Sequence, residues 1–294
     1  MRVIVTGASG MLGGEIADVF ERRPEWTVVP WHGSSDVDVA DREAVMRSAL
    51  SAKPDLIVHT AAIRDIEACE ANLASAMAVN ASGAQNVALA ANMCDCSIVH
   101  ISTDAVYDGV KTEPYTELDA ANPVNVYGRS KLVAEGLVMA AGTRHFILRV
   151  PLLFGSRGSR SKNALYKMIM ELRSGQAVRA SVDQTCNPSY TRDIAQAILR
   201  IVGTQHWGLY LLCNDGHATR YEHALMVARL VGAPDSQVVP ASMTERPTRR
   251  PRNTTMDCSR AHTTFGISIQ PWHSALRQCI EEMGFSAALS RLGC

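Results

Sequence analysis

The sequence predicts an α/β fold: a doubly wound parallel sheet with a smaller C-terminal lobe. Three observations predict it. Short apolar runs rich in Val and Ile alternate with helical patterns through the first half of the chain. The runs are continuous rather than alternating with polar residues, as in strands covered on both faces. The first run leads at once into Gly7, Gly10 and Gly13, ahead of a helix.

The elements follow in order. Val3 to Val5 reads as a buried strand and Gly10 to Arg22 as a helix. Thr27 to Val29 is a strand, Arg42 to Ser51 a helix, and Leu56 to Val58 a strand. Leu73 to Met93 is Ala-rich and reads as one long helix. Ser97 to Ile101 is a strand, Ser130 to Ala140 a helix and His145 to Val150 a strand. After Pro151 the pattern loosens. Gly155 to Lys162 is polar and rich in Gly and Ser, which predicts a mobile loop. Helices are expected over Ala164 to Arg173, Asp193 to Val202 and Tyr221 to Val231, with a strand over Gly208 to Leu212. Thr244 to Asn253, rich in Arg and Pro, is expected to be irregular. The boundary falls near residue 151, with the chain expected to return to the sheet around 185–215.

Composition narrows the function. The chain has 294 residues, with Lys plus Arg equal to Asp plus Glu at 29 each. That balance gives no basic excess for nucleic acid or an anionic membrane. The opening apolar run is too short for a signal peptide, and no stretch reaches the roughly 20 apolar residues of a membrane span. Cys69, Cys94, Cys96, Cys186, Cys213, Cys258, Cys279 and Cys294 form neither C-x-x-C pairs nor a regular framework. They read as reduced packing thiols of a cytoplasmic protein, and no Cys/His cluster has the spacing of a metal site.

Residues 5–13, VTGASGMLG, carry the first chemical signal. One glycine makes a tight turn, one lets backbone approach a pyrophosphate, and one allows close helix–strand packing. The helix start offers free N–H groups and the positive end of its dipole to phosphate. The second strand runs into Pro30-Trp31-His32-Gly33-Ser34-Ser35. It offers neither the acidic residue expected for NAD nor the basic one expected for NADP. The cofactor is therefore read as NADPH or NADH. Asp38 could also serve as a cap for the helix that begins near Asp41.

The second signal is Tyr127-Gly128-Arg129-Ser130-Lys131, which follows a strand ending in Ser102-Thr103-Asp104. The Tyr-x-x-x-Lys spacing puts both side chains on one helix face. A nearby ammonium would lower the phenol pKa from about 10. Tyr127 could then protonate a carbonyl oxygen as hydride reaches its carbon. Lys131 could hold the nicotinamide ribose, and the Thr103 hydroxyl could orient the same carbonyl oxygen.

With these pieces in place the chain resembles the dTDP-4-dehydrorhamnose reductase branch of the extended short-chain dehydrogenases. The resemblance rests on VTGASGMLG (5–13), PDLIVHTAA (54–62), VNASG (79–83), HISTDAVYDG (100–109), NPVNVYGRSKLVAE (122–135), LRVPLLFG (148–155) and RPRNTTMD (250–257). It implies a Rossmann-type domain over 1–150 and a substrate-binding lobe over most of 151–294. The implied reaction is NAD(P)H-dependent reduction of the 4-keto group of a nucleotide sugar. Thr103, Tyr127 and Lys131 become the implied catalytic set. Gly7, Ser9, Gly10, Met11, Leu12, Asp38, Val39, Ala61, Ala62 and Val150 become cofactor contacts, joined by Tyr127 and Lys131. Arg64, Thr103, Asp104, Leu152 and Arg250 fall on the substrate side, and Asn253 lies in the same lobe. Glu15 matches a family glutamate linked to a magnesium-assisted homodimer, but one carboxylate makes no metal site.

Departures from the pattern leave competitors. Val150-Pro151-Leu152 stands where a Thr-Ser-Trp stretch is common, and Ile63-Arg64 replaces a His-Thr type pair. The sugar is thus open, as is a different keto metabolite. A related dehydratase would need Asp-Glu after the threonine, whereas Ala105 follows Asp104. A non-catalytic regulatory subunit, like that of methionine adenosyltransferase, remains a rival because its late segment resembles Arg250 to Ser259.

Overall fold

The structure is a computed structural model that describes residues 1–142 and 144–286; residues 287–294, with Cys294, lie outside the described residues. In chain order the first half runs β1 (Arg2–Thr6), α1 (Met11–Glu21), β2 (Thr27–Trp31), α2 (Arg42–Ala52), β3 (Leu56–His59), α3 (Ile66–Ala71), α4 (Leu73–Ala76), α5 (Gly83–Met93), β4 (Ser97–Thr103), α6 (Val126–Ala141) and β5 (His145–Val150). The second half adds β6 (Leu153–Phe154), α7 (Ala164–Arg173), β7 (Val178–Ser181), β8 (Thr185–Cys186), β9 (Ser189–Tyr190), α8 (Thr191–Ile201), β10 (Gly208–Leu211), β11 (Ala218–Thr219), α9 (Arg220–Val231), β12 (Val238–Ala241), α10 (Ser259–Phe265) and α11 (Trp272–Glu282).

The central sheet has six strands in the order β10-β5-β4-β3-β1-β2, and every pairing is parallel. Its strands carry continuous apolar runs because successive side chains enter different cores. Val3 and Val5 meet Ile16 and Phe20 of α1 and Ile194 and Ile198 of α8. Ile4, between them, joins Val45 of α2, Val87 of α5 and Val138 of α6 on the other face. The strand order reverses between β1 and β3. Such a switch point opens a crevice at the carboxyl ends of the strands.

β10 completes the sheet from well beyond residue 150, pairing with β5. The remaining late elements build their own core, in which Ile169 of α7, Val227 of α9 and Leu276 of α11 pack with Val178 of β7 and Val238 of β12. β7 and β12 pair in parallel although distant in sequence.

Several expectations need adjustment. The long helix over 73–93 is interrupted, with a π-helical turn over Met77–Ser82 between α4 and α5. The reason is visible at Asn80. Its buried side chain bonds the main chain of Ile63 in both directions, at 2.7 Å and 2.9 Å, and donates to the Ser130 hydroxyl. α6 begins at Val126 rather than near Ser130, because Asn125 caps it by accepting from the Gly128 N–H at 2.9 Å. Asp41, not Asp38, caps α2, while Asp38 accepts from the Ala40 N–H in a local turn. The segment expected to be a mobile loop is tied down. Asn163 donates to the Gly155 carbonyl, Arg64 donates to the Lys162 carbonyl, and Arg157 pairs with Asp18 of α1.

Glu15 is buried and accepts from the Arg192 guanidinium at 2.9 Å, with Glu282 on the other side of that arginine. Arg192 meets one oxygen of this carboxylate, and its Oε2 has no partner. Among the described residues no group of three or more His, Cys, Asp or Glu is placed to hold a metal ion.

Candidate active site

The glycine loop lies at the switch point. Gly7 has φ of +68°, and a Cβ there would stand 2.8 Å from the Thr60 hydroxyl and 2.9 Å from the Ala61 nitrogen. A Cβ on Gly13 would meet the Gly7 carbonyl at 2.3 Å. The loop is thus pressed against the end of β3, which brings Ala61 and Ala62 beside it. Gly10 caps α1 with no side-chain hydrogen bond, so the first N–H groups of that helix stay free for an anion. These features fit a dinucleotide pyrophosphate.

The other predicted cofactor residues ring this point unequally. Ser9 donates to the His32 carbonyl and ties the loop to the end of β2. Met11 is half-buried against Asn163 and the Gly158 backbone. The side chain of Leu12 is in the core, which leaves only its main chain for a ligand. Val39 is buried against Gly83, and its carbonyl accepts from Asn86. Asp38 is exposed, and Val150 is buried at the end of β5.

Gly10→Val is expected to fold, because Gly10 is exposed. The branched side chain would occupy the space the phosphates need. Its dinucleotide Kd should rise more than about tenfold, the size of one or two lost phosphate hydrogen bonds. Fluorescence titration checks this, and a wild-type Kd would remove the phosphate role from the loop.

Thr103 ends β4, and Tyr127 and Lys131 lie on one face of the first turns of α6. Gly128 explains how closely they meet. A Cβ at Gly128 would stand 2.2 Å from the Ala105 carbonyl, so only glycine lets α6 touch the turn after β4. The Thr103 hydroxyl donates to Asp104 and also neighbours the Tyr127 phenol. The lowered phenol pKa expected from Lys131 is not found. Burial pushes the Tyr127 hydroxyl up to about 12, and the Asp104 carboxyl opposes ionisation too, partly offset by the neighbouring Thr103 hydroxyl. Lys131 is itself buried, which brings its pKa down to about 8 against the pull of Glu135. Its Nζ turns toward His100 Nε2, 3.4 Å away.

On the substrate side, Thr254 donates to Asp104 at 2.6 Å. Burial raises the Asp104 pKa to about 6, against hydrogen bonds from Thr254 and Thr103. Between pH of about 4 and 6 the folded chain therefore holds more protons here than the unfolded chain. Stability is lost as pH rises through that window, by about 3 kcal/mol at most. Asp104→Asn should raise Tm relative to wild type by several degrees at pH 8 but not at pH 4. An equal change at both pH values in thermal melts would contradict the raised Asp104 pKa.

Arg64 is exposed beside the Tyr127 phenol, and Leu152 is half-buried after β5. Arg250 pairs with Glu67 of α3 at 2.7 Å, and its Nε has no partner. An open groove of about 1130 Å³ lies beside it, lined by Lys111, Arg246, Arg249, Arg250 and Arg252. Asn253 acts structurally, donating to the carbonyls of Lys111 and Thr112. Sequence reasoning missed Arg220 and Arg246. Arg220 favours the ionised form of Asp104, and the like charges of Arg250 and Arg220 add to the burial that holds the pKa of Arg246 down. Arg246 lies within the Arg- and Pro-rich stretch Thr244 to Asn253, whereas Arg220 is distant in sequence and only tertiary folding brings it near.

The family described as RmlD substrate binding domain matches residues 1–285. A dTDP-4-keto-6-deoxy-D-glucose reductase of Streptomyces niveus is 32% identical over 284 residues, covering 94% of this chain and 96% of that one. The crystal structure of a dTDP-4-dehydrorhamnose reductase from Clostridium acetobutylicum superposes with a TM-score of 0.90 at 31% identity, covering 97% of this chain and 100% of that one. A dTDP-4-dehydrorhamnose reductase from Bacillus anthracis, solved in complex with NADP, gives a TM-score of 0.89 at 27% identity over 96% of this chain and 98% of that one.

Proposed function

From the premise that this chain belongs to the RmlD substrate binding domain family, we propose that it is an NAD(P)H-dependent reductase of a keto group on a nucleotide-linked deoxysugar, the 4-keto group above all. What supports the reading is Thr103 at the end of β4 neighbouring Tyr127 of α6, with Lys131 on the same face of that helix and the glycine loop at the carboxyl end of the same sheet. The Streptomyces niveus and Bacillus anthracis relatives support the same chemistry.

When bound, the reduced dinucleotide supplies the hydride. Residues 1–150, with the return around 185–215, hold it, and the rest of 151–294 holds the sugar nucleotide. Gly7, Ser9, Gly10, Met11, Leu12, Asp38, Val39, Ala61, Ala62 and Val150 form the cofactor contacts. The Tyr127 hydroxyl, kept protonated by burial at neutral pH, donates its proton to the carbonyl oxygen. Thr103 orients that oxygen, and Lys131 holds the ribose. Arg64, Asp104 and Leu152 meet the sugar, and Arg250 at the cationic groove meets the diphosphate. The reading includes a cytoplasmic homodimer that binds no nucleic acid. Among the described residues no helix is long and apolar enough to cross a membrane.

The test follows loss of NADPH, and separately NADH, absorbance with freshly generated dTDP-4-keto-6-deoxy sugars. Turnover with either cofactor supports the reading and settles the cofactor. Tight dinucleotide binding without turnover would favour another keto substrate or a regulatory dinucleotide-binding subunit.

A further inference from the structure

Two histidines lie under the candidate site. His59 ends β3 and His100 lies on β4, paired in register across the parallel strands. Both are fully buried, and their rings stack with centroids 5.4 Å apart. Nothing in the proposed chemistry uses them.

Hydrogen-bond accounting fixes the protons on both rings. The Thr6 hydroxyl oxygen accepts from the Thr60 N–H at 3.1 Å and the Ala61 N–H at 3.2 Å. Its acceptor sites are then filled. Its own proton must therefore go to His59 Nδ1, 2.8 Å away. That leaves the His59 ring proton on Nε2, which has no partner. As an ammonium Lys131 has only donors to offer, so below its pKa of about 8 His100 Nε2 is the acceptor of their contact. The His100 proton is then on Nδ1, which also has no partner.

We propose that His100 is a positioning residue for Lys131: its neutral ring accepts a hydrogen bond from the ammonium and holds it beneath the nicotinamide ribose. His59, anchored through Thr6 to the Ala61 main chain of the cofactor floor, backs the ring by stacking. The assignment of a purpose to Lys131 rests on the reductase reading. The tautomers do not.

The groups facing Lys131 are few. Tyr127 lies a turn above it on α6, and Glu135 a turn below. Arg149 of β5 holds that glutamate, and His100 and His59 lie beneath. Burial and the Lys131 charge hold both rings far below their ordinary pKa, so they stay neutral at working pH. Burial also lowers Lys131 to about 8. Its deprotonation then falls inside the pH range an assay can cover.

Two measurements decide the proposal. The first uses the whole protein labelled with nitrogen-15 at histidine, with His100 assigned by comparison with His100→Gln. His100 should be neutral from pH 5 to 9, with its proton on Nδ1 below the Lys131 pKa of about 8, where the lysine is an ammonium. A proton on Nε2 while Lys131 is charged, or titration near pH 6.5, would overturn the proposal whether or not the protein turns over a sugar. The second is the pH profile of kcat/KM. His100→Leu removes the acceptor and disfavours the charged amine. Its alkaline limb should move about half a pH unit or more toward acid, whereas His100→Gln, which keeps a carbonyl acceptor, should stay near wild type. A wild-type profile in His100→Leu would overturn the positioning role. Absence of turnover in the wild type would defeat the reductase reading and leave the tautomer measurement to judge His100.

Discussion

Tyr127→Phe is expected to lower kcat about a thousandfold, within the range for loss of a general acid, while the dinucleotide Kd stays within about twofold. The change removes one oxygen from a ring held by packing. The ring borders the Cys69, Ala76 and Val126 cluster, so the fold loses nothing it depends on. The buried hydroxyl that pays the ionisation penalty disappears, and so does the proton the carbonyl oxygen needs. The Thr103 hydroxyl remains but is engaged with Asp104. Steady-state rates and cofactor titration on the same preparation check the result. A variant that kept a tenth or more of the wild-type rate would remove the acid role from Tyr127, and one that lost cofactor binding would show that the phenol helps form the dinucleotide site.

Glu135→Leu is expected to cause the largest loss of stability of any single change considered. Arg149 is buried, and Glu135 meets it with both oxygens, at 2.9 Å and 2.7 Å. The arginine also donates to the Tyr107 hydroxyl at 2.9 Å, and Ser102 donates to the glutamate. Removing the carboxylate leaves a guanidinium charge in the core, which cannot titrate away. Stranding a buried charge costs about 3–5 kcal/mol, or roughly 10 °C in Tm for a domain of this size. Glu135→Leu with Arg149→Met should recover most of that loss, because burying neither charge is nearly neutral. Thermal melts of both variants decide it. A single variant melting within about 2 °C of wild type would mean that water reaches Arg149. Glu135 also favours the charged form of Lys131 one turn away. The single variant should therefore lose activity at a lower pH than the wild type.

These two results probe what was and was not legible in the chain. Tyr127 and Lys131 could be read directly, because a four-residue spacing on a helix fixes which side chains share a face. The glycine loop could be read because each glycine answers a local need for close approach. The Gly7 and Gly13 contacts at β3 meet that need. The start of α6 was misplaced because Asn125 caps it from outside the apolar pattern. The break in the helix over 73–93 was missed because its cause, Ile63, lies in another segment. α10 and α11 gave no clear signal, and β7 and β12 are too short to announce themselves without each other.

By itself the sequence determined the alternation of strands and helices, the phosphate-binding turn and the pairing of Tyr127 with Lys131. Each depends on residues within a few positions of one another. Only the tertiary structure decided that Arg220 comes near Arg246 and that His59 and His100 stack beneath Lys131. It alone decided the acidity of the site, reversing the expected fall in the Tyr127 pKa. The physical reason is that burial and charge act through space. A phenol's environment is set by atoms from β4, the turn after it and α3, and no spacing along the chain reports how much water they exclude.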